Sequence, residues 1–293
     1  MKTIASVTLP HHVHAPRYDL QQLQSRMVHF GFGAFHRAHQ ALLTDRVLDA
    51  QGGDSGICEI SLFSGDQLMS QLRAQNHLYT VLEKGADGNQ VIIVGAVHEC
   101  LNAKLDSLAA IIEKFCEPQV AIVSLTITEK GYRIDLATGA PTPVIRGLFT
   151  IYKPLKNLTP HRVFSSKHSN AAASAALLVY RAASANNIPD NGHVVKNAVL
   201  GRAEKCSPEL AGWIKRTRQF SGTMVDRIVP AATDESLAEI SQHLGGNIPV
   251  RLAGTVYPVG SGDNFVAGRP AWKSQVYKWG TMSAMGRDET AYA

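Results

Sequence analysis

The stretch HFGFGAFHRAHQ, residues 29–40, combines two residue patterns that could do chemistry. Gly31 and Gly33 could form a tight turn and let the backbone approach a pyrophosphate, with the next helix presenting its N–H groups to the phosphates. His36 and His39 could instead hold a metal ion, but a spacing of three residues on a helix makes a marginal chelate, and no Cys, Asp or Glu lies nearby to complete it. The pattern therefore favours a dinucleotide loop and no metal.

The glycine pattern is incomplete, because His36 stands where the usual G-x-G-x-x-G motif has its third glycine. A plain turn between a strand and a helix stays open as the alternative. Arg37, at the start of the predicted helix, could pair with a phosphate or could simply be solvated.

A second cluster of polar residues follows an apolar segment later in the chain. SLTITEKGY, residues 124–132, places the hydroxyl of Thr126 and the charged side chains of Glu129 and Lys130 just after a predicted strand. Doubly wound folds bind their ligands at this end of the strands. The two charged residues could handle protons, or they could form a salt-bridged loop.

Alternating strands and helices must position these groups. The predicted elements are strands over 27–31, 57–63 and 119–125, helices from Phe35 to about Ala50 and over 106–115, and an inserted hairpin over 78–97. Strands that alternate with helices form a parallel sheet with right-handed crossovers. The sequence therefore predicts the α/β class: a Rossmann-like doubly wound parallel sheet, followed by an incomplete, partly disrupted remainder.

Composition narrows the classes of function. The 293 residues are 45% hydrophobic, carry a formal charge of +5, and spread their Lys and Arg without long runs, which disfavours nucleic-acid binding. Four cysteines without C-x-x-C spacing disfavour a zinc knuckle and a disulfide scaffold. No window resembles a signal peptide or a membrane span. We expect a cytoplasmic protein, and the sequence assigns it no oligomeric state.

The pattern changes after about residue 140. Residues 141–170 mix Pro, Lys, His and Ser without a clear period, and helical periodicity returns over 191–203 and after Thr233, a predicted N-cap. We expect one domain over 1–140. The rest, 141–293, is expected to hold a disrupted remainder of that domain and the start of a truncated second one.

Several stretches together resemble the mannitol dehydrogenase family of polyol-specific long-chain dehydrogenases, most closely its fructuronate reductase (D-mannonate oxidoreductase) branch. The matching text is VHFGFGAFHRAHQALLTD (28–45), LYTVLEKGA (78–86), AIVSLTITEKGY (121–132), DNGHVVKNAVLG (190–201), TMVDRIVPAAT (223–233) and DNFVAGRPAW (263–272). The resemblance is nearly continuous over residues 1–140 and lies in islands beyond them.

The resemblance implies an N-terminal Rossmann-type domain that binds NAD, a helical substrate domain, and hydride transfer between the nicotinamide and a hexuronate or polyol without a metal. It places the cofactor on Gly31, Gly33, Ala34, Phe35, His36 and Arg37, with Asp66, in the loop after the second strand, at the adenosine ribose and Thr126 at the end of a later strand.

The resemblance also implies catalytic residues. The family's S-C-D-N motif aligns with residues 184–187, which makes Asn187 a candidate for polarising the substrate, although two of the four residues differ. Asp226 aligns with the family's active-site aspartate, and it forms a charged pair with Arg227 inside an apolar frame. Glu129 is the third candidate, from its position after the predicted strand and not from the resemblance.

The family's catalytic lysine lies in a downstream motif, MKLRMLNGSH, that this sequence does not contain. Permitted codons for residues 285–293 and a following stop, read one base out of frame, give WEEMKLRMLN, the family's text through that lysine. We therefore hypothesise a frameshifted, truncated relative, out of frame near 141–186, 246–262 and 273–293.

Such stretches carry no selected pattern of burial, so the second half is expected to pack poorly. Little turnover is expected. The alternative is a non-catalytic nucleotide-binding remnant or a non-functional translation product.

Overall fold

The computed structural model describes residues 9–62, 65–85, 88–115, 117–126, 181–184, 191–206, 208–217, 219–225, 229, 232–245, 251–255 and 260–262. The chain forms two compact units, and each is discontinuous in sequence. The first contains Met1–Leu105, Asp226–Val259 and Pro270–Lys278, and the second contains Asp106–Val225, Gly260–Arg269 and Trp279–Ala293.

The first unit contains two groups of strands. Its described elements, in chain order, are β1 (Gln24–Phe30), α1 (Ala34–Ala38), α2 (Gln40–Gln51), β2 (Ser55–Ser61), α3 (Asp66–Arg73), β3 (Tyr79–Gly85), β4 (Gly88–Val94) and β5 (Val97–Asn102). Strands β1, β2 and β5 lie in that order and pair in parallel, with Phe30 opposite Ile60 and Ser61 opposite Asn102.

The parallel strands are buried along most of their length. In β1 the side chains from Met27 to Phe30 are buried, and in β2 those from Gly56 to Ile60 are buried. A near-continuous buried run is typical of a parallel strand covered on both faces. The predicted strands over 27–31 and 57–63 are therefore confirmed, although each observed strand begins and ends slightly earlier.

The predicted hairpin over 78–97 is also confirmed. Strands β3 and β4 are antiparallel from Tyr79 opposite Val94 to Gly85 opposite Gly88. On the other side of β3 from β4 lies the parallel strand β9 (Arg251–Thr255). The later elements of this unit are α7 (Asp234–Leu244) and β9 (Arg251–Thr255). The hairpin and α7 share a hydrophobic core of Val13, Leu82, Val91, Ile93, Ile240 and Leu244.

Helix α7 begins where the sequence predicts. The Thr233 side chain accepts a hydrogen bond from the Ser236 backbone N–H, and Ser236 Oγ accepts one from the Thr233 N–H, so the two residues form a capping box. The helix ends at Gly245, whose φ of +64° is a left-handed conformation that favours glycine.

The second unit also contains parallel strands and helices. Three strands pair in parallel in the order β6 (Ile122–Leu125), β7 (Arg181–Ser184) and β8 (Gln219–Val225), and β10 (Gly260–Gly262) pairs antiparallel with β8. The described elements are α4 (Leu108–Phe115), β6 (Ile122–Leu125), β7 (Arg181–Ser184), α5 (Asn191–Cys206), α6 (Pro208–Thr217), β8 (Gln219–Val225) and β10 (Gly260–Gly262). Both units therefore confirm the predicted α/β class with a parallel, Rossmann-type sheet.

Parts of the segments predicted to be out of frame do form strands. Strand β7 lies within 141–186, and β9 and β10 lie within 246–262. The remaining residues of these segments, and all of 273–293, lie outside the described part of the chain. The frameshift and the predicted boundary near residue 140 stay predictions. Among the residues that the structure describes, none of the helices has the length and apolarity needed to cross a bilayer.

Candidate functional site

The turn after β1 is built on two glycines with different roles. Gly31 has a φ of +96°, which a residue with a Cβ rarely adopts, and its N–H still bonds to the Ile60 carbonyl at 2.9 Å. The Gly33 N–H then bonds back to the Gly31 carbonyl at 2.6 Å, which closes a three-residue turn. Gly31 is therefore required by the backbone itself.

Gly33 is not required by its backbone, because its φ is an ordinary −77°. Among the described residues, a Cβ built on it would meet a single atom within 4 Å, the Gly31 carbonyl oxygen at 3.8 Å. The glycine leaves open space beside the turn, and this space suits a ligand whose polar groups must approach the backbone closely.

Phe32, between the glycines, anchors the turn in the interior. Its ring lies edge-on to Tyr79, with ring centroids 5.7 Å apart, and the Arg37 guanidinium lies over its face at 4.9 Å. The Tyr79 hydroxyl donates a hydrogen bond to the Arg37 carbonyl at 2.9 Å. These contacts fix the turn relative to the start of the helix.

The predicted single helix from Phe35 to about Ala50 is wrong in one respect, because it breaks at His39 into α1 and α2. The His39 ring Nδ1 lies 2.7 Å from the Phe35 carbonyl oxygen, and the His39 N–H bonds to the His36 carbonyl instead. The His39 side chain thus contacts the Phe35 carbonyl oxygen, which the His39 backbone N–H would bond in a continuous α-helix. Such an interruption of the backbone hydrogen bonds is a recognised cause of kinks.

His36 lies in a buried cluster below the turn. Its Nε2 is 2.6 Å from Glu59 Oε1 on β2, and both side chains are fully buried. The His36 ring stacks on the His29 ring at 3.4 Å between centroids, and His29 lies directly opposite Glu59 across the β1–β2 pair. The His36 side chain therefore faces the interior, and its assignment to the cofactor stays a prediction.

Burial controls the charges of this cluster. It raises the pKa of Glu59 to about 7, although His29 and Arg37 act in the opposite direction. Burial, helped by the neighbouring Arg37 charge, lowers the pKa of His36 to about 3, and burial also lowers that of His29. Burial thus favours the neutral form of all three groups, and although His36 Nε2 and Glu59 Oε1 lie close together, neither atom makes a hydrogen bond within the described part of the chain.

This cluster is also the place where a metal would be sought. Within the described residues, His29, His36 and Glu59 form the one group whose ligand atoms lie within 4.8 Å of one another. The two rings are inclined by only 14°, and nitrogen lone pairs lie in the ring plane, so stacked rings cannot both aim at one ion. The expectation of no metal stays a prediction. His36 and His39 make separate contacts, His36 with Glu59 and His39 with the Phe35 carbonyl oxygen.

Arg37 is well placed for an anion. Its side chain is partly buried, burial lowers its pKa from 12.5, and its buried Nε has no hydrogen-bond partner in the described structure. Arginine remains charged even so. A partly buried guanidinium with an unpaired donor is a favourable partner for a phosphate group.

Two further residues lie where β2 and β5 end. Asp66 is the first residue of α3 rather than part of a loop, and its Oδ1 lies 3.0 Å from Lys104 Nζ. Because β1, β2 and β5 are parallel, their carboxyl ends share one edge of the sheet with the Gly31–Gly33 turn. The Lys104 partner was missed by sequence reasoning, since nothing local in the sequence joins residues so far apart.

Of the other predicted site residues after Asp66, the structure describes Thr126 alone. Thr126 directly follows β6 in the second unit and is half-buried. Glu129, Asn187 and Asp226, together with Lys130 and Arg227, lie outside the described residues. Their catalytic roles stay predictions.

A family model and several known proteins match most of this chain. The sequence model of the mannitol dehydrogenase Rossmann domain matches residues 25–274. The chain is 73% identical to the oxidoreductase YeiQ of Escherichia coli over 277 residues, which is 93% of this chain and 56% of that protein. It is 42% identical to the D-mannonate oxidoreductase of the same organism over 281 residues, again 93% of this chain and 56% of the relative.

A solved structure shows the same fold. The ternary complex of Pseudomonas fluorescens mannitol 2-dehydrogenase with NAD and D-mannitol superimposes with a TM-score of 0.81 at 30% identity, covering 95% of this chain and 57% of that one. The chain thus spans somewhat more than half the length of the relatives it matches.

Proposed function

We propose that this chain, which belongs to the mannitol dehydrogenase family, binds NAD(H) at the edge where β1, β2 and β5 end, with the Gly31–Gly33 turn against the pyrophosphate. The observation that carries the proposal is Gly33. Its backbone conformation tolerates any residue and, among the described residues, its Cβ position has open space beside it, so we attribute the glycine to a ligand rather than to the fold.

The other residues at this edge suit the parts of a dinucleotide. The partly buried Arg37 guanidinium offers a positive charge to the pyrophosphate. Asp66, at the start of α3 after the second strand, is our candidate for the carboxylate that accepts hydrogen bonds from the adenosine ribose in this fold. We assign Ala34 and Phe35 to the cofactor through their backbone, and Thr126 through its position after β6.

The reaction that we propose is hydride transfer between a hexuronate or polyol and the nicotinamide. Bound NAD(H) supplies the hydride acceptor or donor, and the protein supplies orientation and proton handling. We propose Asn187 as the group that polarises the substrate, and Asp226 and Glu129 as supporting catalytic residues. The names of the relatives, D-mannonate oxidoreductase and mannitol 2-dehydrogenase, support this substrate class.

Residues 1–293 by themselves are expected to turn over slowly. The family's catalytic lysine has no counterpart among them, so the proton that accompanies hydride transfer has no positioned donor or acceptor. Loss of general acid–base catalysis typically lowers a rate by roughly 10²- to 10⁴-fold. We therefore propose cofactor binding with impaired catalysis for this chain assayed alone.

We also propose a cytoplasmic location. The four cysteines of the sequence lie far apart without C-x-x-C spacing, which suits a reducing compartment. No metal, nucleic acid or membrane is required by the proposed reaction, and the partner is a small-molecule hexuronate or polyol.

The test is a titration of the 293-residue chain with NADH, followed by fluorescence, and then an assay with D-fructuronate and NADH. The proposal predicts saturable binding and a turnover far below that of full-length relatives measured in parallel. Turnover equal to that of the relatives would contradict the impairment. Absence of NADH binding would contradict the proposed function and would favour a non-functional translation product.

A further inference from the structure

We infer that Lys104 adapts this site to a cofactor that carries a 2′-phosphate, so that the chain accepts NADP(H) as well as NAD(H). The inference rests on the proposed function, because it concerns the ribose end of the same cofactor site. It is carried by the Lys104–Asp66 ion pair, whose Nζ and Oδ1 atoms lie 3.0 Å apart.

An unpaired carboxylate at this position selects the unphosphorylated cofactor. It accepts hydrogen bonds from the ribose hydroxyls, and it repels the negative charge of a 2′-phosphate. A basic side chain nearby has the opposite effect, since it neutralises the carboxylate and can donate hydrogen bonds to phosphate oxygens. The choice between the two cofactors therefore depends on the partners of Asp66.

Lys104 is that partner here. Its ammonium donates a hydrogen bond to Asp66, and this bond is the main reason that the pKa of Asp66 lies below its usual 3.8. The carboxylate is thus ionised at neutral pH, and the pair as a whole carries no net charge. Both side chains remain about half exposed, at 58% for Lys104 and 45% for Asp66, so a phosphate could reach the ammonium from solvent.

The backbone holds Lys104 at this edge. The Lys104 N–H donates to Oδ1 of the buried Asn102 at 2.9 Å, and the neighbouring Ala103 N–H donates to the Ser61 carbonyl at 3.1 Å. The segment after β5 is therefore tied to the end of β2, the strand that leads toward Asp66. The lysine is placed by the fold, while its flexible side chain can exchange the carboxylate for a phosphate.

The experiment compares the binding of NADH and NADPH to the 293-residue chain and to Lys104→Met, by fluorescence titration at low salt. We expect the unaltered chain to bind both cofactors with Kd values within about tenfold of each other. In Lys104→Met the Kd for NADPH should rise by about tenfold or more, the typical contribution of a hydrogen bond to a charged group, while the Kd for NADH changes less than about threefold.

Two further variants serve as controls. Lys104→Arg keeps the charge and should retain NADPH binding. Lys84→Met removes a lysine of similar exposure that pairs with Glu239 in the other sheet of the same unit, and it should leave the ratio of the two Kd values unchanged. NADPH affinity that falls in Lys84→Met as much as in Lys104→Met would overturn the assignment to Lys104.

The outcomes separate this inference from the proposed function. A chain that binds NADH but excludes NADPH by more than about 100-fold, or whose Kd ratio is unaffected by Lys104→Met, contradicts the inference alone. A chain that binds neither cofactor contradicts the proposed function, and the inference fails with it.

Discussion

His36 Nε2 on α1 lies 2.6 Å from Glu59 Oε1 on β2, and neither side chain is exposed to solvent. The contact joins the helix that follows the glycine turn to the strand beside β1. Burying two titratable groups is costly, and neither His36 Nε2 nor Glu59 Oε1 makes a hydrogen bond among the described residues, so this buried contact ties the packing of the turn to that of the sheet at a cost in stability. Two side chains therefore hold the turn in place. His36 contacts Glu59 on β2, and Phe32 packs against Tyr79 and Arg37.

Removing one member of the pair should destabilise the fold strongly. His36→Leu keeps most of the volume but leaves Glu59 without its partner, and we expect a loss of about 2–4 kcal/mol in the free energy of unfolding, measured by urea denaturation. Lys84→Met, which breaks the partly exposed pair with Glu239, should cost less than about 1 kcal/mol. Equal losses in the two variants would contradict the role assigned to burial.

Glu59 should also make stability depend on pH. Its pKa in the folded protein, about 7, lies above its usual 4.5, so its contribution to stability is fully present below about 4.5 and is lost as the pH rises through 7. His29 and His36 act in the opposite sense, because burial lowers their pKa values. Comparison with Glu59→Gln isolates the contribution of the Glu59 carboxyl group to the pH dependence of stability.

The stability of the unaltered chain relative to Glu59→Gln should fall by about 2–3 kcal/mol between pH 5 and pH 8. Urea denaturation of both proteins across this range measures the difference. A difference that stays constant, or that grows with pH, would show that Glu59 is ionised throughout.

The sequence predicted the strand, turn and helix around Gly31 because each depends on residues close together in the chain. It also predicted the Thr233 cap and the β3–β4 hairpin for the same reason. Glu59 was hidden inside an apolar run that correctly indicates a strand, and its partner lies on another element. The break at His39 was missed because a ring–carbonyl contact, and not helix propensity, decides it.

The two glycines of the turn should respond differently to the same change. Gly33→Ala should fold with unchanged stability, because its φ is ordinary, but it should weaken NADH binding by about tenfold or more through the methyl group in the open space. Gly31→Ala should lose about 1–3 kcal/mol of stability, because its φ is +96°.

Gly245→Ala is the matched control, since it strains a left-handed glycine at the end of α7 without touching the turn. Thermal denaturation and NADH titration of the three variants give the comparison. Normal NADH affinity in Gly33→Ala would remove the main support for the site.

Asp45 offers a separate test of buried polar groups in the first unit. Its Oδ1 accepts hydrogen bonds from the Tyr18 hydroxyl at 2.5 Å and from the Gly95 N–H at 2.7 Å, and burial raises its pKa to about 6. Tyr18→Phe removes a donor to the ionised carboxylate. We expect a loss of about 1–3 kcal/mol at pH 8 and a smaller loss at pH 5, where Asp45 is mostly protonated. A loss that is independent of pH would contradict this assignment.

Hydrogen exchange of the 293-residue chain with and without saturating NADH tests the central claim most directly, because it locates the cofactor as well as detecting it. The account predicts slower exchange of backbone amides over residues 31–37 and near the start of α3 when NADH is present. Unchanged exchange at these positions under conditions of saturable binding would place the cofactor elsewhere and contradict the account.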